Sequence, residues 1–388
     1  MCAVLLTAFV SACHSGTGPA AAGPATSAAA ATASASAATA SATTVRAARP
    51  HRRLAHRAGI RDRALDAPDA IAVAGTRVWV ANSRYEDDGG GWVTQIDATT
   101  GALVRVITAR RYELTDPQAL AVDGNTLWIA DGHGDAVTEI DATTGALIRV
   151  IMGPAYRLSD PAAIAAGGGR VWVANGGSNS LTEISAATGA LIRVIEAARY
   201  QLSTTVYPPA IAVAAGRVWV PDGNSNAVTE ISARTGALIR VITGPRYQLN
   251  GPDGIAVAGN RVWIVNVNTL SVTEIDGATG ALIRVIPSLP NVPFAITADP
   301  DGIWLVTNLG EKAVDGTRPD GSVAELSTAS RYLIRDVAAQ PFRNDSPGGA
   351  ITSDAADVWV TDTGFYSHRG WVAELDAATG ALLQVITG

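Results

Sequence analysis

The chain has 388 residues, 47% of them apolar and 16% charged, which is enough to bury a large core. Its formal charge of −6 divides unevenly: residues 1–66 carry a net +5, which leaves −11 on residues 67–388. So acidic a region lacks the basic footprint that nucleic-acid binding needs, and with Cys2 and Cys13 as the only cysteines it excludes disulfides and thiolate metal sites beyond residue 13.

The N-terminus reads as an address. "MCAVLLTAFVSAC" is an apolar run ending in small residues, too short to span a bilayer and of the kind a secretory signal needs. Within it "VSAC" (Val10–Cys13) resembles the bacterial lipobox, though no basic residue precedes the run. That resemblance implies a signal over 1–12 and a diacylated Cys13 as the new N-terminus. Protein would then sit on the outer face of the cytoplasmic membrane, or be secreted if cleaved without lipid. Residues 14–45 are almost all Ala, Ser, Thr and Gly, whose small side chains offer too little area to offset backbone ordering. Residues 46–63 add seven arginines. They either lie on anionic lipid or wall polymer, at about 1 kcal/mol per charge near an anionic membrane surface, or form a solvated linker. The expected organisation is a signal (1–12), a tether (13–66) and one domain (67–388).

From residue 67 the chain repeats itself. Asp116–Ile151 holds four short runs, "ALAV", "TLWIA", "AVTEI" and "ALIRVI", each β-branched or apolar and each bounded by Gly, Asn or Asp. They predict four antiparallel strands, a to d. The phrase "IDATTGALIRVI" (Ile140–Ile151) returns nearly unchanged at 96–107, 184–195, 231–242, 275–286 and 375–386. Thr143-Thr144-Gly145 predicts a three-residue c–d hairpin loop with Gly in the left-handed position. That register sets Glu139 opposite Arg149, and likewise Glu183–Arg193, Glu230–Arg240 and Glu274–Arg284. Each such cross-strand pair is worth about 0.2–1 kcal/mol. Charge on the outermost strand is also expected to discourage edge-to-edge aggregation.

Strand b supplies the count. Its Trp falls at 79, 128, 172, 219, 263, 304 and 359, and "TASRYLIRDV" (328–337) fills the one gap in the turn glycines as a degenerate copy. Seven four-stranded units of about 46 residues predict an all-β, seven-bladed β-propeller, with each Trp packed between blades. The domain starts on strand a and stops on strand d, so ring closure needs no borrowed outer strand. "PDGIAV", "RVWIVN" and "VTEID" (within 252–276) resemble the NHL and YVTN families of propeller repeats. Relatives implied by that resemblance include protein-binding modules, receptor sensor domains, lactonase-like hydrolases and virginiamycin B lyase-like enzymes.

The b–c and d–a loops of such a ring share one face. Most b–c loops here are short, such as "DGNSN" (222–226), but three are longer or richer: 82–91 in blade one, 308–321 in blade six and 362–370 in blade seven. Their expected contact residues are Arg84, Tyr85, Glu86, Asp87, Asp88, Lys312, Arg318, Phe365, Tyr366, His368 and Arg369, a set rich in the Tyr and Arg that make interface hot spots. The alternative is that these loops have drifted without a role. The expected partner is a protein, a glycan or another small molecule. No nucleic acid is expected, the only membrane attachment is the lipid, and the chain is expected to be monomeric. No resident cofactor is expected. A divalent metal is the exception: His133, His368 and Asp87 come from neighbouring blades and could hold one, in a lyase or hydrolase of the kind the resemblance implies. The Asn or Asp that ends each strand b (82, 131, 175, 222, 266, 308, 362) is read as a turn former rather than a calcium ligand.

Overall fold

In a computed structural model of the chain, the described residues are 64–83, 90–108, 112–196, 200, 202, 210–289, 291–298, 302–308, 322–327, 333–337, 349–354, 356–362 and 370–387. Among them, strands form seven four-stranded antiparallel sheets, each in the simple order a-b-c-d. The blades cover residues 68–108, 117–151, 161–196, 212–242, 252–286, 292–337 and 351–387. Blade two serves as the template: Pro117–Asp123, Thr126–Asp131, Ala136–Asp141 and Leu147–Ile151. Strands b and c are buried on both faces, so strand b runs apolar without alternation, while strand c buries the polar Thr138 and Glu139 among its apolar residues.

The predicted register holds. Glu139 lies opposite Arg149, with Glu183–Arg193, Glu230–Arg240 and Glu274–Arg284 in equivalent places, and the degenerate blade six adds Glu325–Arg335. The turn differs by one residue from the expected three. Asp141 N–H donates to the Ala146 carbonyl at 2.9 Å and Gly145 N–H to the Asp141 carbonyl at 2.8 Å, so the loop contains Ala142–Gly145. A register shift between Glu139 and Ile140 absorbs the extra residue. Asp141 Oδ1 accepts from the Thr143 N–H (3.0 Å), the Thr144 N–H (2.6 Å) and the Thr144 hydroxyl (2.8 Å), and these bonds hold the Asp141 carboxyl below its ordinary range. Gly145 has φ +67°, and a Cβ there would meet Arg105 of the preceding blade at 2.8 Å. Glycine is needed for both reasons.

The charged pairs are not the exposed decorations the pattern suggested. Glu183, Glu230 and Glu274 are fully buried, each between the arginine that begins strand b and the arginine of strand d: Arg170 and Arg193, Arg217 and Arg240, Arg261 and Arg284. The strand-d arginine then reaches the next blade's turn: Arg149 donates to the Ala187 carbonyl (3.3 Å), Arg240 to Ala278 (3.2 Å) and Arg335 to Ala378 (3.1 Å). Apart from Glu196 and Asp336, what strand d exposes is mainly aliphatic, with Ile148 45% and Ile334 50% accessible. The charges therefore bind blade to blade, and protection of the rim against aggregation falls to the shortness of its five- or six-residue strands.

Each Trp packs onto the following blade, as expected. Trp79 sits among Leu127, Ile129 and Ile140; Trp128 among Val171 and Val173; Trp219 among Val262 and Ile264. Trp359 of blade seven packs against Ile71, Val78, Val80 and Ile96 of blade one. Seven such clusters, one per junction, close the ring without an exchanged strand. Among the described residues, Ala64 and Leu65 are already buried, just ahead of the residue 67 expected to open the domain.

Candidate functional site

The face that bears the b–c loops is built on side-chain hydrogen bonds at the ends of strand b. Asp131 is buried and accepts from Thr115 N–H (2.5 Å), Thr115 hydroxyl (2.7 Å), Asp116 N–H (2.8 Å) and Gly134 N–H (3.0 Å). One carboxylate thus ties its own b–c turn to the connector entering the blade. Asn82 accepts from Asp66 N–H at 3.1 Å and Asn266 from Asn250 N–H at 3.3 Å, while Asp222 accepts from Asn224 and Ser225 N–H groups. These are structural bonds, in keeping with the turn-forming reading.

The strand ends that root the three long b–c segments lie on adjacent blades. They are the ends of Arg77–Asn82, Ile303–Asn308 and Asp357–Asp362. Blade seven touches blade one through their strands a and b, and blade six touches blade seven. Arg84, Tyr85, Glu86, Asp87, Asp88, Lys312, Arg318, Phe365, Tyr366, His368 and Arg369 lie outside the described residues. His133 is described. Its imidazole is 72% exposed, and Nδ1 lies 3.5 Å from Oδ2 of the buried Asp116. Gln118 Nε2 donates to that same oxygen at 2.9 Å. Among the described residues no group of three or more His, Cys, Asp or Glu could hold a metal ion.

The structure adds two carboxyls that the sequence reading passed over. Strands a of successive blades lie against one another and form the innermost layer. The residue three before the partner of each blade's Trp is Asp69, Gln118, Ala162, Asp253 and Phe294 in blades one, two, three, five and six. Burial, with the Asp116 carboxylate as a second cause, pushes the Asp69 carboxyl up to about 7. Burial alone pushes Asp253 up to about 6. Asp69 therefore takes up a proton far more readily than an ordinary carboxyl, with Asp116 close enough for the two charges to interact. The available signal was the Pro-Asp that opens strand a in only these two blades, Pro68-Asp69 and Pro252-Asp253.

No protein-family model matches the chain, and no curated protein does. Solved structures match in number. Virginiamycin B lyase from Staphylococcus aureus gives a TM-score of 0.58 at 18% identity, over 76% of this chain and 91% of that one. The computationally designed Ika8 protein gives 0.57 at 17%, over 82% and 86%. The WD40 repeats of RRP9 give 0.57 at 10%, over 76% and 87%. At such identities the likeness shows the fold alone, and the three share no activity in what their names describe.

Proposed function

We propose that this propeller, of the NHL/YVTN kind, is an extracytoplasmic binding module. Cys13 anchors it by lipid, and it engages a protein or glycan through the b–c loops of blades six, seven and one. One observation carries the reading: the three strand ends that root the long loops belong to adjacent blades and open on one face. Elsewhere the b–c turn is four residues, as between Asp131 and Ala136. Seven near-copies of a rigid unit, with extra length confined to three neighbours, is how a repeat scaffold presents a binding surface. The domain's acidic balance favours a partner that is basic or neutral at the contact. Replacing residues 84–89, 309–321 and 363–369 with the blade-four sequence "GNSN" tests the reading. The unfolding midpoint stays within a few degrees while partner binding is lost; retained binding rejects it.

A second reading, a metal-dependent lyase or hydrolase on His133, His368 and Asp87, is favoured by one feature. Nδ1 of the exposed His133 lies 3.5 Å from the buried Asp116 carboxylate, so that a small rotation of the ring would pair the two and leave Nε2 for a ligand. Divalent zinc or manganese at a hundred times its dissociation constant then raises stability by about 2.7 kcal/mol. The gain disappears in a His133→Ala/His368→Ala chain; no gain in the parent removes the reading.

A further inference from the structure

Strand a opens on a bulge in blades one and two. The register passes from Pro68 to Ala70 and from Pro117 to Ala119, which leaves Asp69 and Gln118 outside the ladder, where a bulge re-aims a side chain. The residue that follows strand b lies against this side chain. A Cβ at Gly132 would meet Gln118 Nε2 at 2.5 Å and Asp160 Oδ1 at 3.0 Å. Ser83 holds the same place in blade one: its N–H donates to the Ala67 carbonyl as that of Gly132 donates to the Asp116 carbonyl. Ser83 therefore faces Asp69 as Gly132 faces Gln118. It is 1% exposed, and among the described residues its hydroxyl has no partner.

The carboxyls here are matched differently from those in the rest of the ring. Glu183, Glu230 and Glu274 each lie between two arginines, and Asp131 accepts from four donors. The Asp116 carboxylate is also buried, yet among the described residues it meets only the neutral Gln118 amide at 2.9 Å and the exposed His133 imidazole at 3.5 Å. Asp69 meets no donor and no cation among them, and the charge that acts on it is the like charge of Asp116. No three His, Cys, Asp or Glu of the described residues come together to hold a metal ion. The unmet demand at this spot is for positive charge that brings its own N–H donors.

We propose that Asp69 and Asp116 form a binding site for a primary ammonium group. The two carboxylates and the Ser83 hydroxyl are the three acceptors that an ammonium's three N–H groups need, and Gln118 steadies one of the carboxylates. The site stands on the inner ends of blades one and two, and it holds whether or not the long loops bind a partner.

The test uses the full chain with isotope-labelled amides, titrated at constant ionic strength with butylammonium chloride. The Ser83 N–H and the Gln118 side-chain amide signals shift and saturate at about millimolar concentration, as a ligand of so few atoms allows. Tetramethylammonium, with the same charge and no N–H, binds about tenfold more weakly, the fold-change of one charge-assisted hydrogen bond. Asp69→Asn, a neutral group of the same shape, also loses about tenfold in affinity for butylammonium. If that variant does not fold, Asp116→Asn must show the loss in its place. N-acetyl-lysinamide carries the same group on a peptide unit. Saturable binding of either amine supports the site, and the tighter of the two names its source, a small amine or a partner's lysine. No saturable shift in the parent, equal affinity for tetramethylammonium, or unchanged affinity in the variant overturns the proposal.

Discussion

Glu230 shows what single residues do in this ring. It is a carboxylate removed from water and held between Arg217 and Arg240. Glu230→Gln leaves two guanidinium groups facing a neutral amide in a buried row, and is expected to cost about 3–5 kcal/mol. Among the described residues Glu139 pairs with Arg149 alone, so Glu139→Gln is expected to cost less. Urea unfolding of both at pH 7 checks the order; equal costs would mean that the second arginine is idle. Asp69 sets a pH dependence of the opposite kind to a salt-bridged acid. Its folded pKa of about 7 exceeds the ordinary 3.8, so the folded state binds the proton more tightly. Stability from this group is full below about pH 4 and is lost as pH rises through 7, by on the order of 1–3 kcal/mol. Urea midpoints at pH 5 and pH 8 are expected to differ in the parent and to draw together in Asp69→Asn. An unchanged difference in that variant contradicts the assignment. The pairing of Glu with Arg was legible because both lie within one hairpin. Their burial was not, since it comes from the neighbouring blade, whose turn sits 38 residues further on.

At the scale of the element, the hairpin and the end of strand b obey different rules. The c–d turn is local: Asp or Ser, then Thr and Gly, within six residues close it, so six copies could be read from the chain directly. The strand-b terminus is not local, because Asp131 gathers donors from 15 and 16 residues upstream. Asparagine does comparable work at 82 and 266, which predicts that Asp131→Asn costs about 1 kcal/mol while Asp131→Ala, which orphans several donors, costs about 3 kcal/mol or more. Thermal unfolding of the two variants decides, and a harmless alanine would show that the knot is dispensable. Tyr112 and its counterparts pack into the junctions between blades. They also hydrogen-bond a glycine 33 or 36 residues away, which no local pattern announces.

For the whole molecule, seven tryptophans and a period of about 46 residues were enough to fix blade number, strand order and closure. Identity of the units made this easy and made function hard, because residues that occur in every blade serve the ring. What departs from the repeat carries the information: the long loops of three adjacent blades, and Asp69 and Asp253 on the inner strands. The loops were found by length; the other features depend on what surrounds them in the folded ring. The central claim concerns the loops, and site-specific photo-crosslinking on intact cells tests it most directly. A benzophenone amino acid is placed at Tyr85 or Tyr366, with Asn224 in the short loop of blade four as the control. The account predicts a discrete adduct from the first two positions and none from the third. Adducts of equal yield from all three, or from Asn224 alone, would contradict it.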